Sequence, residues 1–582
     1  MTTRPLLADA HPWVSSYPAG VRWDAPLART PVPQLLEEAV AQWPERPFLD
    51  FMGRRISYRE FGALVDRAAA GFQKLGVGPG VHVGLYLPNS PHYPIAFFGV
   101  LRAGGTVVNY SPLDAERVLE HKVEDSESDF LVTLDLAALY PQMARLMGHS
   151  RLKRLIVGAL DEYAGAPGPT RAQMQGAGLL APMADDAHHM TFAQLLDNDG
   201  RHEYRPVADP ADAIAALQYT GGTTGLPKGA MLTHGNLTAA CAQYVESLSG
   251  NEAIVAFGEE RILAVLPLFH IYSLVTNLLM GIRLGAEIIL HTRFELDTVM
   301  KTFDARKITV FSGVPTMYMA MIGHPKAGEL DLRSLRSCGS GGAPLPVEVA
   351  QKFFALTGCQ INEGWGMTET SPTGSFTPAR GRRKAGSCGM PLPGITLSMR
   401  DLVDPDQEMP LGQRGELCIS GPNVMKGYWK NEAATRASMT GDGFFRSGDV
   451  AYMDEDGFVF IVDRTKDMLL CGGFNVYPRT IEDAIYEHPS VEEVSVIGIH
   501  DDYRGQSPKA FIKLRSGAEA FTLDELKRFL KDRLGKHEML QAMEIRAELP
   551  KTAVGKLSKK ELYDEENARR DAGTSGATVS SS

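Results

Sequence analysis

Between Gln218 and His234 the chain reads QYTGGTTGLPKGAMLTH. Thr220, Gly221, Gly222, Thr223, Thr224, Gly225 and Lys228 fall within nine residues, directly after an apolar run at 214–218. Glycines let backbone amides approach an anion, threonine hydroxyls donate to it, and the lysine neutralises it. This is the chemistry of a phosphate cradle. It is not a Walker A loop, because Lys228 is followed by Gly229 rather than by Ser or Thr. An ordinary flexible turn has no need of this density of threonine.

The loop resembles that of the acyl- and aryl-adenylate-forming enzymes, which include acyl-CoA synthetases, luciferases and peptide-synthetase adenylation domains. Further signatures follow in the family's order. GSGGAP at 339–344 is similar to the loop lining the adenine and acyl pockets, and NEGWGMTE at 362–369 to the aromatic-Gly-x-Thr-Glu motif. Ser447-Gly448-Asp449 resembles the T-G-D motif with serine for threonine, DRTKD at 463–467 the hinge, and PKTAVGK at 550–556 the C-terminal lysine motif. The resemblance spans roughly residues 20 to 565. It implies an enzyme that uses ATP, Mg2+ and coenzyme A to activate a small-molecule carboxylic acid.

ATP carries about four negative charges and the attacking carboxylate one more, so the site must lower that repulsion. The resemblance implies Glu369 and Thr220 as the metal-holding pair. It implies an ATP site of the 220–225 cradle, Lys228, Gly342, Ala343, Glu363, Gly364, Trp365, Gly366, Met367 and Thr368. Asp449 would accept from the ribose hydroxyls, and Arg464 would contact ribose or phosphate. Lys556 would bridge the carboxylate and the α-phosphate, and is also an expected target of a protein lysine acetyltransferase. The acyl site would use His270, Val314, Gly339, Gly341, Trp365 and Gly366. Gly472, Gly473 and Phe474 would pass the pantetheine arm, with Lys466 as hinge. His270 also reads as a core histidine at a strand end. As a functional residue it is a positioner, since thiols ionise near neutrality and need little help from a base.

Trp13–Val21, Ile95–Ala103 and 447–478 look most like bacterial medium- and long-chain fatty-acyl-CoA synthetases. Many relatives carry tyrosine where Trp365 stands, so its bulk would shorten or reshape the acyl pocket. A dicarboxylate–CoA ligase of pimelate type shares these motifs. A fatty-acyl-AMP ligase without CoA transfer, a luciferase-type oxygenase and a non-catalytic scaffold are the other readings. The last would be expected to lose Lys556, Glu369 or Arg464, and all three are present.

These residues need a scaffold to bring them together. The chain has 582 residues, 44% hydrophobic and 22% charged, which excludes disordered and disulfide-scaffold classes. A net charge of −11 argues against a dedicated nucleic-acid binder. The six cysteines form no CxxC or zinc spacing and read as buried thiols of a reducing cytosol. The N-terminus shows no apolar h-region. Ile262–Ile282 runs 21 residues without a charge, but Pro267, His270 and Asn277 mark it as a buried strand, turn and helix. A cytoplasmic protein is expected, with peripheral contact at the inner membrane face a further expectation. The oligomeric state stays open between monomer and homodimer.

Apolar strands at 81–87, 128–134, 154–157 and 214–218 alternate with helices at 33–42, 58–75 and 91–103, around a hairpin at Met52-Gly53. That rhythm predicts an α/β fold with sheets covered on both faces. The expected organisation is a large N-terminal domain, 1–462, of layered α/β subdomains plus a β-barrel-like subdomain. A small mobile α+β lid, 463–565, and a disordered tail, 566–582, would follow. The polar stretch 180–199 reads as an irregular surface excursion.

Overall fold

Runs of four to seven β-branched and apolar residues, joined by helices that carry the chain back across the sheet, favour parallel pairing. The computed structural model describes residues 11–220, 227–250, 253–343, 345–471, 474–501, 503–552 and 557–577. The chain divides into two compact units, 1–397 with 419–445, and 398–418 with 446–582.

The first unit holds two sheets. One runs Met390–Pro391, Ser375–Phe376, Ile361–Trp365, Ser337–Ser340, Val310–Gly313, Arg261–Ala264, Glu287–Leu290, Pro47–Phe51 and Arg54–Ser57. Its strands are parallel from Pro47–Phe51 to Ile361–Trp365 and antiparallel at both ends. The other runs Gly427–Tyr428, Lys228–Thr233, Ile214–Thr220, Thr106–Asn109, His82–Leu85, Ser128–Leu134, Arg154–Gly158 and His189–Thr191. It is parallel from Ile214–Thr220 onward.

The expected hairpin closes on Met52 and Gly53, both at positive φ, as a two-residue primed turn requires. Helix Tyr58–Lys74 starts where the Ser57 hydroxyl accepts from the Glu60 N–H. It packs on helix His92–Arg102 so closely that a Cβ on Gly99 would stand 2.6 Å from that of Ala68. The uncharged run Ile262–Ile282 folds as strand Arg261–Ala264, a turn and the helical segment Ile271–Leu284 with a π-type stretch at Leu274–Leu279. Within it, Asn277 Nδ2 donates to Ser273 Oγ at 2.9 Å, and that hydroxyl donates to the Leu266 carbonyl at 2.8 Å. Among the described residues no helix is long and apolar enough to cross a membrane.

The stretch 180–199 is more ordered than its composition suggests. His189–Thr191 pairs parallel to Arg154–Gly158 as the edge strand, and Thr191 and Gln194 form a capping box that starts helix Phe192–Leu196. All six cysteines are free thiols, five of them buried and Cys388 half-buried.

The second unit carries most of the four-stranded sheet Thr396–Arg400, Gly415–Ser420, Phe445–Met453 and Val459–Arg464, where a barrel-like element is expected. Residues 398–418 and 446–462 cluster with the C-terminal part of the chain, and Tyr477 packs on Val450 and Val462 in one apolar cluster. Its second sheet pairs Gly505–Leu514 with Val491–Asp501, Ala542–Ile545 and Leu469–Cys471. Helices Pro478–Tyr486 and Leu523–Leu530 bury Ile481, Ile485, Leu526 and Leu530 in a core with Val494, Val496 and Ile512. Helix Lys559–Ala577 runs into the stretch from 566 where disorder is expected. Lys509 Nζ pairs with Glu566 at 2.7 Å, and Arg569 pairs with both Glu544 and Glu566 at 2.8 Å. Residues 578–582 lie outside the described residues.

His234 gives the first unit a pH dependence. Its Nδ1 accepts from the Val32 N–H at 3.1 Å, and burial pushes its pKa down to about 4. Unfolded, the ring titrates near about 6.5. Between these values the unfolded chain binds a proton that the folded chain refuses, so stability falls as pH falls, by up to roughly 3 kcal/mol. The thermal midpoint of the natural protein should therefore drop relative to His234→Gln between pH 7 and pH 5. Parallel midpoints across that range would show that the ring does not titrate on unfolding.

Candidate active site

Four parallel strands of the larger sheet release their chains at the same edge. After Arg261–Ala264 comes the turn to His270, after Val310–Gly313 comes Val314, after Ser337–Ser340 come Gly341 to Ala343, and Ile361–Trp365 leads to Gly366. Ligands of open α/β sheets bind outside such carboxyl ends. The expected acyl residues His270, Val314, Gly339, Gly341, Trp365 and Gly366 are thus carried on neighbouring strands or on the turns that leave them.

Tyr272, a residue the motifs do not single out, fills this edge. A Cβ on Gly339 would stand 3.3 Å from its hydroxyl and one on Gly341 3.2 Å from its ring. Burial raises its pKa, so the hydroxyl stays protonated. Tyr318 reinforces the same strand by donating to the Gly339 carbonyl at 2.7 Å. His270 does not end the strand but caps the turn after it. Its Nδ1 accepts from the Tyr272 N–H at 3.2 Å, which gives that nitrogen the acceptor role. The Trp365 ring lies on Gly374, where any Cβ would stand 2.4 Å away. A Cβ on Gly366 would meet the Pro372 carbonyl oxygen at 1.6 Å, so only glycine fits there. Glu363 accepts from the Leu345 N–H at 3.2 Å and pairs in register with Ser340. Met367 donates through its N–H to Thr370 Oγ1 at 3.0 Å and leads into the 3-10 turn Thr368–Thr370.

The phosphate-loop residues Gly221 to Gly225 lie outside the described residues, but both shoulders of the loop are described. Thr220 ends one strand and Lys228 begins the next, and the two pair directly. The Lys228 ammonium rests over the Tyr428 ring, 4.4 Å from its centroid. The Tyr428 hydroxyl donates to buried Glu369 at 2.8 Å. Burial, then the Glu369 charge, raises the Tyr428 pKa and keeps the donor proton in place. Lys228, Tyr428 and Glu369 therefore form one cluster. No motif spacing announces Tyr428, which reaches Glu369 through the strand pairing of Gly427–Tyr428 with Ala230–Met231.

Among the described residues no group of three or more His, Cys, Asp or Glu side chains is arranged to hold a metal. A single buried carboxylate still suits Mg2+, which keeps water and phosphate oxygens as most of its ligands.

In the second unit, Asp449 and Arg464 face each other across paired strands, with Arg464 Nε 3.0 Å from the Asp449 carboxylate. Asp449 is buried and Arg464 is exposed. Asp463 accepts from the N–H groups of Arg464 and Arg479 at 2.7 and 2.8 Å, and burial raises its pKa to about 6. Lys466 follows on the exposed turn. Phe474 is exposed and its ring lies 5.2 Å from that of His537. Gly472, Gly473 and Lys556 lie outside the described residues.

Comparison with known proteins places the chain. The model of the AMP-binding enzyme family matches residues 36–429, and that of the AMP-binding enzyme C-terminal domain matches 480–556. A long-chain-fatty-acid–CoA ligase of Bacillus subtilis (strain 168) is 37% identical over 564 residues, covering 95% of this chain and 98% of the relative. One of Escherichia coli O6:H1 is 35% identical, covering 96% and 99%. The ATP-bound structure of MatB from Rhodopseudomonas palustris superposes with a TM-score of 0.78 at 26% identity, over 92% of this chain and 98% of that one. The o-succinylbenzoate coenzyme A synthetase of Bacillus subtilis, solved with ATP and magnesium ion, gives 0.73 at 26% identity, over 91% and 99%. The chain belongs to the AMP-binding enzyme family and is an AMP-forming acyl-CoA synthetase.

Proposed function

We propose that the acid this synthetase joins to coenzyme A is a medium- or long-chain fatty acid. The observation that carries the adenylation chemistry is the Lys228–Tyr428–Glu369 cluster beside Thr220. The fatty-acid assignment is supported by near full-length similarity to ligases named for long-chain fatty acids. The direct test is pyrophosphate release with a panel of acids, with and without CoA. A preference for dodecanoate or longer acids and a CoA-dependent thioester are expected. Turnover confined to aromatic acids or short dioic acids would overturn the fatty-acid assignment.

In this reading Lys228 neutralises phosphate charge, and Glu369 with Thr220 would hold Mg2+, which adds further neutralisation. Asp449 and Arg464 orient the ribose. The acid enters along the strand-end edge, with Trp365 as its wall and His270 positioning the carbonyl. Lys556 meets the charge that develops as the carboxylate oxygen attacks the α-phosphate and pyrophosphate leaves. The CoA thiolate then attacks the acyl carbonyl and AMP leaves. Lys556 and the pantetheine path through Gly472, Gly473 and Phe474 serve successive steps, so the lid 463–565 turns about Lys466 between them.

Glu369→Gln should lower acid-dependent ATP–pyrophosphate exchange about 100-fold and raise the Mg2+ concentration giving half-maximal rate. An unchanged Mg2+ dependence would remove Glu369 from the metal site. Lys556→Ala should abolish acyl-AMP formation yet spare thioester formation from supplied acyl-AMP, because its charge acts in the first step alone. Equal loss in both half-reactions contradicts that role. Gly473→Leu fills the pantetheine path and Lys466→Pro fixes φ at the hinge. Both should keep adenylation while CoA transfer slows by orders of magnitude, and full overall rates at saturating CoA would refute the path and the hinge together.

A further inference from the structure

A line of buried side-chain amides runs from the first unit's interior to the peptide that carries His270. Tyr93 Oη donates to Asn109 Oδ1 at 2.9 Å, Asn109 Nδ2 donates to Gln218 Oε1 at 2.9 Å, and Gln218 Nε2 donates to the Phe269 carbonyl at 2.9 Å. All four residues are buried. The direction of the relay is dictated by chemistry. A carbonyl only accepts, so Gln218 must present its NH2 to Phe269 and its oxygen to Asn109. Asn109 must then turn its own oxygen to the Tyr93 hydroxyl, whose pKa burial raises so that it stays a donor. Reversing any member would oppose donor to donor or acceptor to acceptor.

Gln218 stands two residues before Thr220, on the strand that opens the phosphate loop, and Phe269 immediately precedes His270. A second amide holds the residues just before that peptide. Asn89 Nδ2 donates to the Leu266 and His291 carbonyls at 3.0 Å each, and its Oδ1 accepts from the Leu268 N–H at 2.8 Å. The segment between strand Arg261–Ala264 and His270 thus has no strand partner; beyond the His270 N–H to Pro267 carbonyl bond, its backbone is held by the side chains of Ser273, Asn89 and Gln218.

We infer that Gln218 is a positioning residue for the adenylation step: it fixes the His270 peptide relative to Thr220, and so aligns the acid with the α-phosphate. This rests on the proposed site above. A misplacement of about 1 Å costs on the order of 100-fold in rate. Gln218→Leu removes both hydrogen bonds with little change in volume. Gln218→Glu gives a sharper readout. Its carboxylate accepts from Asn109 but repels the Phe269 carbonyl, whereas its protonated form donates to that carbonyl and restores the relay.

The experiment is dodecanoate-dependent ATP–pyrophosphate exchange by the full chain from pH 8 to pH 6. Gln218→Leu should lose 10- to 100-fold in kcat with the KM for ATP within threefold of the natural protein. The ratio of Gln218→Glu to natural activity should rise at least fivefold as pH falls, while the Gln218→Leu ratio stays flat. A Gln218→Leu kcat within twofold, a rise in ATP KM that accounts for the loss, or a flat Gln218→Glu ratio would overturn the inference. If Gln218→Leu does not fold, the Gln218→Glu profile decides alone. Absence of exchange in the natural protein with any fatty acid would instead refute the proposed function and is distinguishable from these outcomes.

Discussion

A parallel strand ends where its chain leaves the sheet, and beyond that point every buried peptide group has lost its ladder partner. Leaving such a group unpaired costs about 1–3 kcal/mol, and a ligand site at strand ends concentrates several of them. The first unit answers with primary amides, which donate and accept at once. Asn89 and Gln218 serve the turn to His270. Asn423 donates to the Thr370 and Thr373 carbonyls at 2.7 and 2.6 Å behind Glu369. Asn236 donates to the Pro422 and Val424 carbonyls at 2.8 Å each, and Gln243 to that of Pro393 at 2.9 Å. The geometry of the site is therefore set by side chains that do not point into it.

Sterics supply the second constraint. At Gly366 the neighbouring Pro372 carbonyl leaves no room for a Cβ, and at Gly339 and Gly341 the space is taken by Tyr272. None of these three has a positive φ. Their glycine identity comes from close approach of a ring or a carbonyl to the backbone rather than from turn geometry. Gly342, at φ +82°, is the member of the loop that needs glycine for its conformation.

The alternation of apolar runs and helical periods made the two parallel sheets legible, because a strand buried on both faces has nowhere to place charge. The helices at 58–74 and 92–102 fall within a residue of their expected ends, since Ser57 and the Pro91 turn are local signals. Local composition misleads where tertiary contacts dominate. The polar 180–199 stretch supplies an edge strand, and at the start of 566–577 Glu566 and Arg569 meet Lys509 and Glu544 from elsewhere in the chain. The site divides along the same line. Glu369, Lys228 and the glycine loop sit in contiguous motifs, whereas Tyr428, Tyr272 and the amides Asn89 and Asn109 act over separations that no short pattern records.

Tyr428 shows why such long-range partners matter. An ammonium and a buried carboxylate in one pocket attract each other, and a direct pair would cancel both charges before any substrate arrived. The ring of Tyr428 holds the Lys228 ammonium on its face, where the aromatic quadrupole offers a modest attraction that a phosphate oxygen outcompetes. Its hydroxyl gives Glu369 a neutral donor, which fixes the carboxylate without neutralising it. One side chain thus touches a positive and a negative group and holds them close together, which is the arrangement that binding a phosphate and a cation side by side demands.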